Sequence, residues 1–183
     1  DRAGVGVVTE LGRSLPTGSR LRLDANGGLH WQEACRWLEA CDALFSPRCQ
    51  VEFLEQPLPP SDFAALLKLQ SQYQTAIALD ESVTTIAQLT QCYAAGWRGL
   101  FVIKAAIAGF PNTLRQFCRQ PGVEVIWSSA LETAIARQFI QTRLIPSVGT
   151  DHRAVGFGID HWFTEDGLNS PDPEEIWQRL TPT

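Results

Sequence analysis

Short apolar runs, each ending in a polar residue, recur along the chain. Leu21-Arg22-Leu23-Asp24 ends in Asp24, Val51-Glu52-Phe53-Leu54-Glu55 in Glu55, and Ala76-Ile77-Ala78-Leu79-Asp80 in Asp80. Leu100-Phe101-Val102-Ile103-Lys104 ends in Lys104, and Val123-Glu124-Val125-Ile126-Trp127 runs into Ser128 and Ser129. The polar end residue returns after 31, 25, 24 and 24 positions. Runs this short and this apolar predict strands covered on both faces, as in a parallel sheet wrapped by helices.

Helical spacing fills the intervals. Trp31, Ala34, Cys35, Leu38, Cys41 and Leu44 predict a helix over about 31–44, closed by Ser46-Pro47. Ser61-Asp62 opens a helix with Phe63, Leu66, Leu67 and Leu69 as its buried stripe, and Thr84-Thr85 opens another over 86–95 that stops at Gly96. Gly109 and Pro111 open a helix to Arg119, and Leu131 to Leu144 reads as one more. Residues 1–15 are compatible with a helix ended by Pro16-Thr17-Gly18, Ala154 to Ile159 with a sixth strand, and Glu174 to Leu180 with a short closing helix.

Two layouts accommodate alternating strands and helices. A doubly wound nucleotide-binding sheet calls for Gly-x-Gly-x-x-Gly after a strand. Gly4-Val5-Gly6 is the nearest match, and it lacks both the third glycine and the strand before it. A (β/α) barrel aims its strand ends at one central site, which explains acids ending three successive strands, so the predicted fold is α/β, an incomplete TIM-like barrel in a single domain. A whole barrel has eight strands in about 250 residues, so this chain is expected to lack about two βα units. Its start at Asp1-Arg2-Ala3, with no Met anywhere, reads as a processed or excised chain.

Charge and cysteine usage exclude several classes. A net charge of −5 with scattered Lys and Arg offers no basic stripe for nucleic acid. No apolar run approaches the roughly 20 residues that span a bilayer, so no membrane partner is expected and a cytoplasmic location is. Five cysteines (Cys35, Cys41, Cys49, Cys92, Cys118) without a Cys-x-x-Cys pair read as apolar filler on helices rather than as a zinc site or disulfide framework.

Asp24, Glu55 and Asp80 are hard oxygen donors suited to magnesium, with manganese as a substitute. The alternative is that each acid caps the helix after it. Lys104 is expected to project into the barrel mouth, where a cation and desolvation would favour its neutral, proton-accepting form; the alternative is an ion pair with Asp80. Ser128 and Ser129 read either as donors to a substrate carboxylate or as a helix N-cap. His30, His152 and His161 stand at no ligand spacing and take no role.

Asp24-Ala25-Asn26, Glu55-Gln56-Pro57, Asp80-Glu81-Ser82 and Lys104, in this order, resemble the metal-ligand motifs and the sixth-strand lysine of the enolase superfamily. Residues 21–26 and 128–132, Gly156-Phe157-Gly158 and His161-Trp162-Phe163 are similar to its o-succinylbenzoate synthase branch, which serves menaquinone and phylloquinone synthesis. The resemblance implies Asp24, Glu55 and Asp80 as magnesium ligands, supported by Asn26 and Glu81, and a small-molecule carboxylate as substrate. It implies proton removal beside that carboxylate, an enediolate held by the metal, and loss of hydroxide to give an aromatic product, with Lys104 lending charge from the opposite ring face. It also implies partners outside these residues: the first barrel strands with a Lys-x-Lys pair that supplies the base, and an α+β capping domain.

Other readings of the same pattern are an N-acylamino acid or dipeptide racemase, a Schiff-base aldolase, and a non-catalytic remnant. Deuterium exchange at an α-carbon, borohydride trapping, and a Lys-x-Lys upstream of Asp1 separate these in turn. Expressed alone, residues 1–183 are expected to be inert and to associate through open sheet edges. A monodisperse monomer that dehydrates a succinyl-hydroxycyclohexadiene carboxylate, the substrate the resemblance implies, would contradict this.

Overall fold

The computed structural model describes residues 2–44, 49–149 and 153–181. Five strands, β1 (Ser19–Asp24), β2 (Cys49–Glu55), β3 (Ala76–Leu79), β4 (Leu100–Lys104) and β5 (Glu124–Ser128), form one sheet in sequential order, every neighbouring pair parallel. Helix α1 (Arg2–Ser14) precedes the sheet; α2 (Trp31–Ala43), α3 (Phe63–Gln72) and α4 (Ile86–Ala94) connect the first four strands. A short α5 (Ala105–Ala108) and then α6 (Pro111–Cys118) lead to β5. Because parallel crossovers are right-handed, a sheet that never reverses its strand order carries its connecting helices on one side and curls with the other side inward. The five strands form part of a barrel wall, as expected.

The two faces carry separate apolar clusters. On the helix side Leu54, Ile77, Leu79, Phe101, Ile103 and Trp127 pack with residues such as Leu38, Leu66, Leu89 and Leu114. Trp97 is fully buried among them, its indole N–H satisfied by the Leu100 carbonyl at 3.2 Å, and Phe101 meets Phe117 edge-on at 5.2 Å between centroids. The other face holds a smaller cluster of Phe53, Ala78, Leu100, Val102 and Ile126.

A bulge opposite Leu21 and Arg22 leaves Glu52 out of the strand register. Its carboxylate gathers two arginines: Arg22 Nε at 2.8 Å and Arg153 at 2.9 Å, the latter also reaching Glu124 of β5 at 2.7 Å. Arg22 donates in addition to the Ala154 carbonyl at 2.7 Å. This clasp ties β1 and β2 to the segment beyond β5, across the inner face and without strand pairing.

Several details differ from the sequence reading. Residues 154–159 form no strand: Gly156 makes one parallel bridge to Ser128, its N–H donating to the Trp127 carbonyl at 2.8 Å. A Cβ at Gly156 would stand 3.1 Å from Ser128 Oγ, so a larger residue there would require the serine side chain to shift. The helix expected from Leu131 begins later, as α7 (Ala134–Phe139), and passes through a π turn, Ile140–Leu144, into α8 (Ile145–Val148). Pro146, which has no N–H to donate back along the helix, accounts for the widened turn before it. Cys49 begins β2 and is buried there rather than on a helix. The closing helix α9 (Pro173–Leu180) stands as expected, whereas Ser46, Pro47 and His152 lie outside the described residues. No helix among the described residues is long and apolar enough to cross a membrane.

Burial favours the neutral form of Glu52, but Arg22 and Arg153 outweigh it and hold the acid below the usual carboxylate range. A carboxyl depressed by folding adds stability above its unfolded value, and that stability is lost as pH falls through the depressed one. Glu52→Gln should therefore cost about 1–3 kcal/mol near neutral pH and progressively less below its ordinary value of 4.5. Urea denaturation at the two pH values checks this; an equal cost at both would show that the clasp does not act through charge.

Candidate active site

Side chains two apart on a strand share a face. Glu55, Asp80, Lys104 and Ser128 each stand two residues after a member of the inner cluster, namely Phe53, Ala78, Val102 and Ile126. All four therefore belong to the concave face, at the C-terminal edge of the sheet. Asp24 joins them as the register partner of Glu55, and Lys104 is the partner of Ser128.

Electrostatics and contacts tie the group together. Burial raises the acid of Glu55, and Asp24, Asp80 and Glu81 raise it further against the opposing charge of Lys104, to about 8. Lys104 Nζ donates to Asp80 Oδ2 at 2.5 Å, so the ion pair foreseen as one of two readings is formed. Asp24 Oδ1 accepts from the Asn26 N–H at 2.8 Å, and Asn26 occupies the left-handed region with φ 47°. Asn26 thus supports Asp24 through its backbone. Asp80 is buried and makes no capping bond to the 3₁₀ turn Glu81–Val83 that follows, which removes the cap reading for this residue. Glu81 Oε2 is buried without a hydrogen-bond partner.

The three carboxylates share a face and a field. Among the described residues no group of three His, Cys, Asp or Glu side chains is placed to enclose an ion. One oxygen of Asp80 is held by Lys104 and one of Asp24 by the Asn26 N–H. The donor set nevertheless fits a hard divalent cation. It is all oxygen, includes a carboxyl that burial and then the neighbouring acids push up, and contains a buried oxygen with no hydrogen-bond donor among the described residues.

The two serines separate. Ser129 Oγ donates to Glu132 Oε2 at 3.1 Å and accepts from the Leu131 N–H at 2.9 Å, and it caps no helix. Ser128 sits half-buried on the inner face beside Gly156. Two residues were not singled out from the sequence. Glu132 is buried and accepts from Ser129 and from the Ala130 N–H at 2.8 Å, holding Leu131 at φ 62°; the Ser-x-x-Glu spacing of a capping box was its available signal. Gln56 is completely buried beside Glu55, and its amide makes four hydrogen bonds. Nothing in a single sequence marks it apart from its acidic neighbour and Pro57.

Comparison with known proteins gives a consistent answer. Residues 2–167 match the enolase C-terminal domain-like family. The chain is 41% identical over 178 residues to an o-succinylbenzoate synthase of Thermosynechococcus vestitus, covering 95% of this chain and 54% of that protein. It is similar to the crystal structure of o-succinylbenzoate synthase from Thermosynechococcus elongatus BP-1 with magnesium in the active site, at TM-score 0.83 and 40% identity over 97% of this chain and 55% of that one. A substrate-liganded L-Ala-D/L-Glu epimerase from Bacillus subtilis aligns at TM-score 0.61 and 28% identity over 72% of this chain and 36% of the epimerase. The chain spans about half the length of these two o-succinylbenzoate synthases.

A carboxyl whose acid is raised by folding favours the folded state most at low pH, and that contribution is lost as pH rises through the raised value. With divalent cations chelated, the thermal midpoint should therefore fall between about pH 4.5 and about pH 8 on account of Glu55. Glu55→Gln should flatten that fall and raise the midpoint at the alkaline end. A fall of the same size in the variant would show that Glu55 does not carry this pH dependence.

Proposed function

Since the chain belongs to the enolase C-terminal domain-like family, we propose that it forms the barrel half of an o-succinylbenzoate synthase, a magnesium-dependent lyase that dehydrates a succinyl-hydroxycyclohexadiene carboxylate. The observation that carries the reading is one concave edge holding Asp24, Glu55 and Asp80 in each other's field, with a single ammonium bonded to Asp80. The 41% identity over nearly the whole chain favours the synthase branch over the epimerase branch. A lysine set among carboxylates also fits a Schiff-base role poorly, because nearby negative charge stabilises its protonated, non-nucleophilic form.

On this reading Asp24, Glu55 and Asp80 hold the cation, while Asn26 and Glu81 support the first and third of them. Magnesium, when bound, would supply positive charge to the carboxylate oxygens as a proton leaves the adjacent carbon. Lys104 lies on the same face and presents its ammonium to the reacting ring, adding charge stabilisation and a cation–π contact. The carbon–hydrogen bond breaks to an acid–base lysine assigned to residues outside this chain, hydroxide leaves the neighbouring carbon and takes up that proton as water, and the ring becomes aromatic. Ser128 is the serine proposed to bind the substrate carboxylate, because the Ser129 hydroxyl is committed to Glu132. The first barrel strands and a capping domain would complete the site. Five free cysteines, four of them buried, suit the reducing cytoplasm, where menaquinone or phylloquinone synthesis would use the product.

Assaying the complete protein for loss of the diene with and without chelator tests the reading. Magnesium-dependent dehydration is expected; α-carbon deuterium exchange in a dipeptide without dehydration would overturn the synthase reading in favour of an epimerase. Lys104→Ala should lower kcat by about 10²–10³-fold while keeping the fold and binding magnesium at least as tightly, since an ammonium competing for Asp80 is gone. Calorimetric titration reads the second part, and weakened magnesium binding would contradict it.

A further inference from the structure

We propose that Gln56 is the positioning residue that sets the spacing of the three carboxylates, and that it does so by capping the turn after β3 in place of Asp80. The proposal rests on the metal-site reading and extends it to a side chain that need not touch metal or substrate.

Every hydrogen-bonding position of the Gln56 amide is used. Oε1 accepts from the Asp80 N–H at 3.0 Å and from the Ser82 N–H at 3.2 Å, while Nε2 donates to the Leu58 carbonyl at 2.8 Å and to Ser82 Oγ at 2.9 Å. Two backbone donors facing Oε1 fix which way the amide points. The backbone of the same residue donates to the Ala78 carbonyl at 2.8 Å and accepts from the Gly27 N–H at 2.7 Å. One residue thus touches the loop after Asp24, adjoins Glu55, and holds the strand before Asp80 and the turn after it.

The arrangement solves a local conflict. Asp80 precedes the turn Glu81–Val83, where an aspartate's side chain ordinarily accepts the turn's first free N–H groups. An Asp80 spent on that bond would have less of its charge available to the concave face. Gln56 reaches over from the neighbouring strand and supplies the acceptor, so Asp80 makes no capping bond and its carboxylate meets Lys104. The cost is visible in the backbone: Gln56 is a non-glycine residue at φ 32°, retained at full burial. A neutral amide also suits the task, since it donates and accepts without adding a further negative charge beside Glu55.

Magnesium titration of the complete protein by calorimetry, without substrate and well below the melting temperature, tests the proposal. Gln56→Leu should weaken magnesium binding by about 10–100-fold, and kcat should recover toward wild type at saturating magnesium. Ser82→Ala, which removes a single Nε2 contact, should weaken it by about 3–10-fold and decides the matter if the leucine variant does not fold. A lowered melting temperature with unchanged magnesium affinity would reduce Gln56 to a structural residue and overturn the proposal while leaving the metal site intact. Wild-type protein that binds no magnesium would instead remove the metal-site reading, and this inference with it.

Discussion

Like charges gathered at one sheet edge are the constraint to which the other features of this site answer. Asp24, Glu55, Asp80 and Glu81 act on one another across the ends of three neighbouring strands, and Lys104 offers one positive charge among them. Left to itself such a group would spread or take up protons, and burial first and the neighbouring acids second push Glu55 up to about 8. Spreading is prevented by strand pairing, which fixes Asp24 beside Glu55, and by hydrogen bonds that hold the chain on either side of each acid. Asn26 in the left-handed region and Gln56 at positive φ are the backbone strain that comes with this.

The sheet keeps that group apart from the protein's main core. Residues facing the helices are fully buried, from Leu54 and Leu79 to Phe101, whereas the inner face beneath the site carries the smaller cluster of Phe53, Ala78, Leu100, Val102 and Ile126. The bulk of the apolar burial lies on the helix side of the sheet. Packing and chemistry thus occupy alternate positions of the same strands, and Ile103 beside Lys104 or Leu54 beside Glu55 shows how close the two roles stand.

This alternation also explains what was legible in the sequence. Strand ends are local: an apolar run and its terminal charged residue can be read at Asp24, Glu55, Asp80 and Lys104 without knowing any contact, and the sequential order of strands follows from the repeat. Gln56 was opaque because its partners, Asp80 and Ser82, lie 24 and 26 residues away and its neighbour Glu55 draws the chemical attention. The strand expected at 154–159 failed because an apolar flank around Gly156 looks like a strand in one dimension, while the structure uses the glycine for a single close approach to Ser128. The delayed start of α7 has a similar origin: Ser129 to Glu132 satisfy each other in a turn, and the helix can begin only after them.

The charged clasp on the inner face has a consequence for how such sequences drift. Arg22, Glu52, Glu124 and Arg153 come from places up to 131 residues apart, yet each depends on at least one other for its charge balance. Losing Glu52 alone would take the carboxylate from Arg22, which also holds the Ala154 carbonyl, and would leave Arg153 with Glu124. Among descendants of this chain the four positions should therefore change as a set, with apolar or charge-reversed combinations replacing the whole group at once, while the strand-end acids vary independently of them.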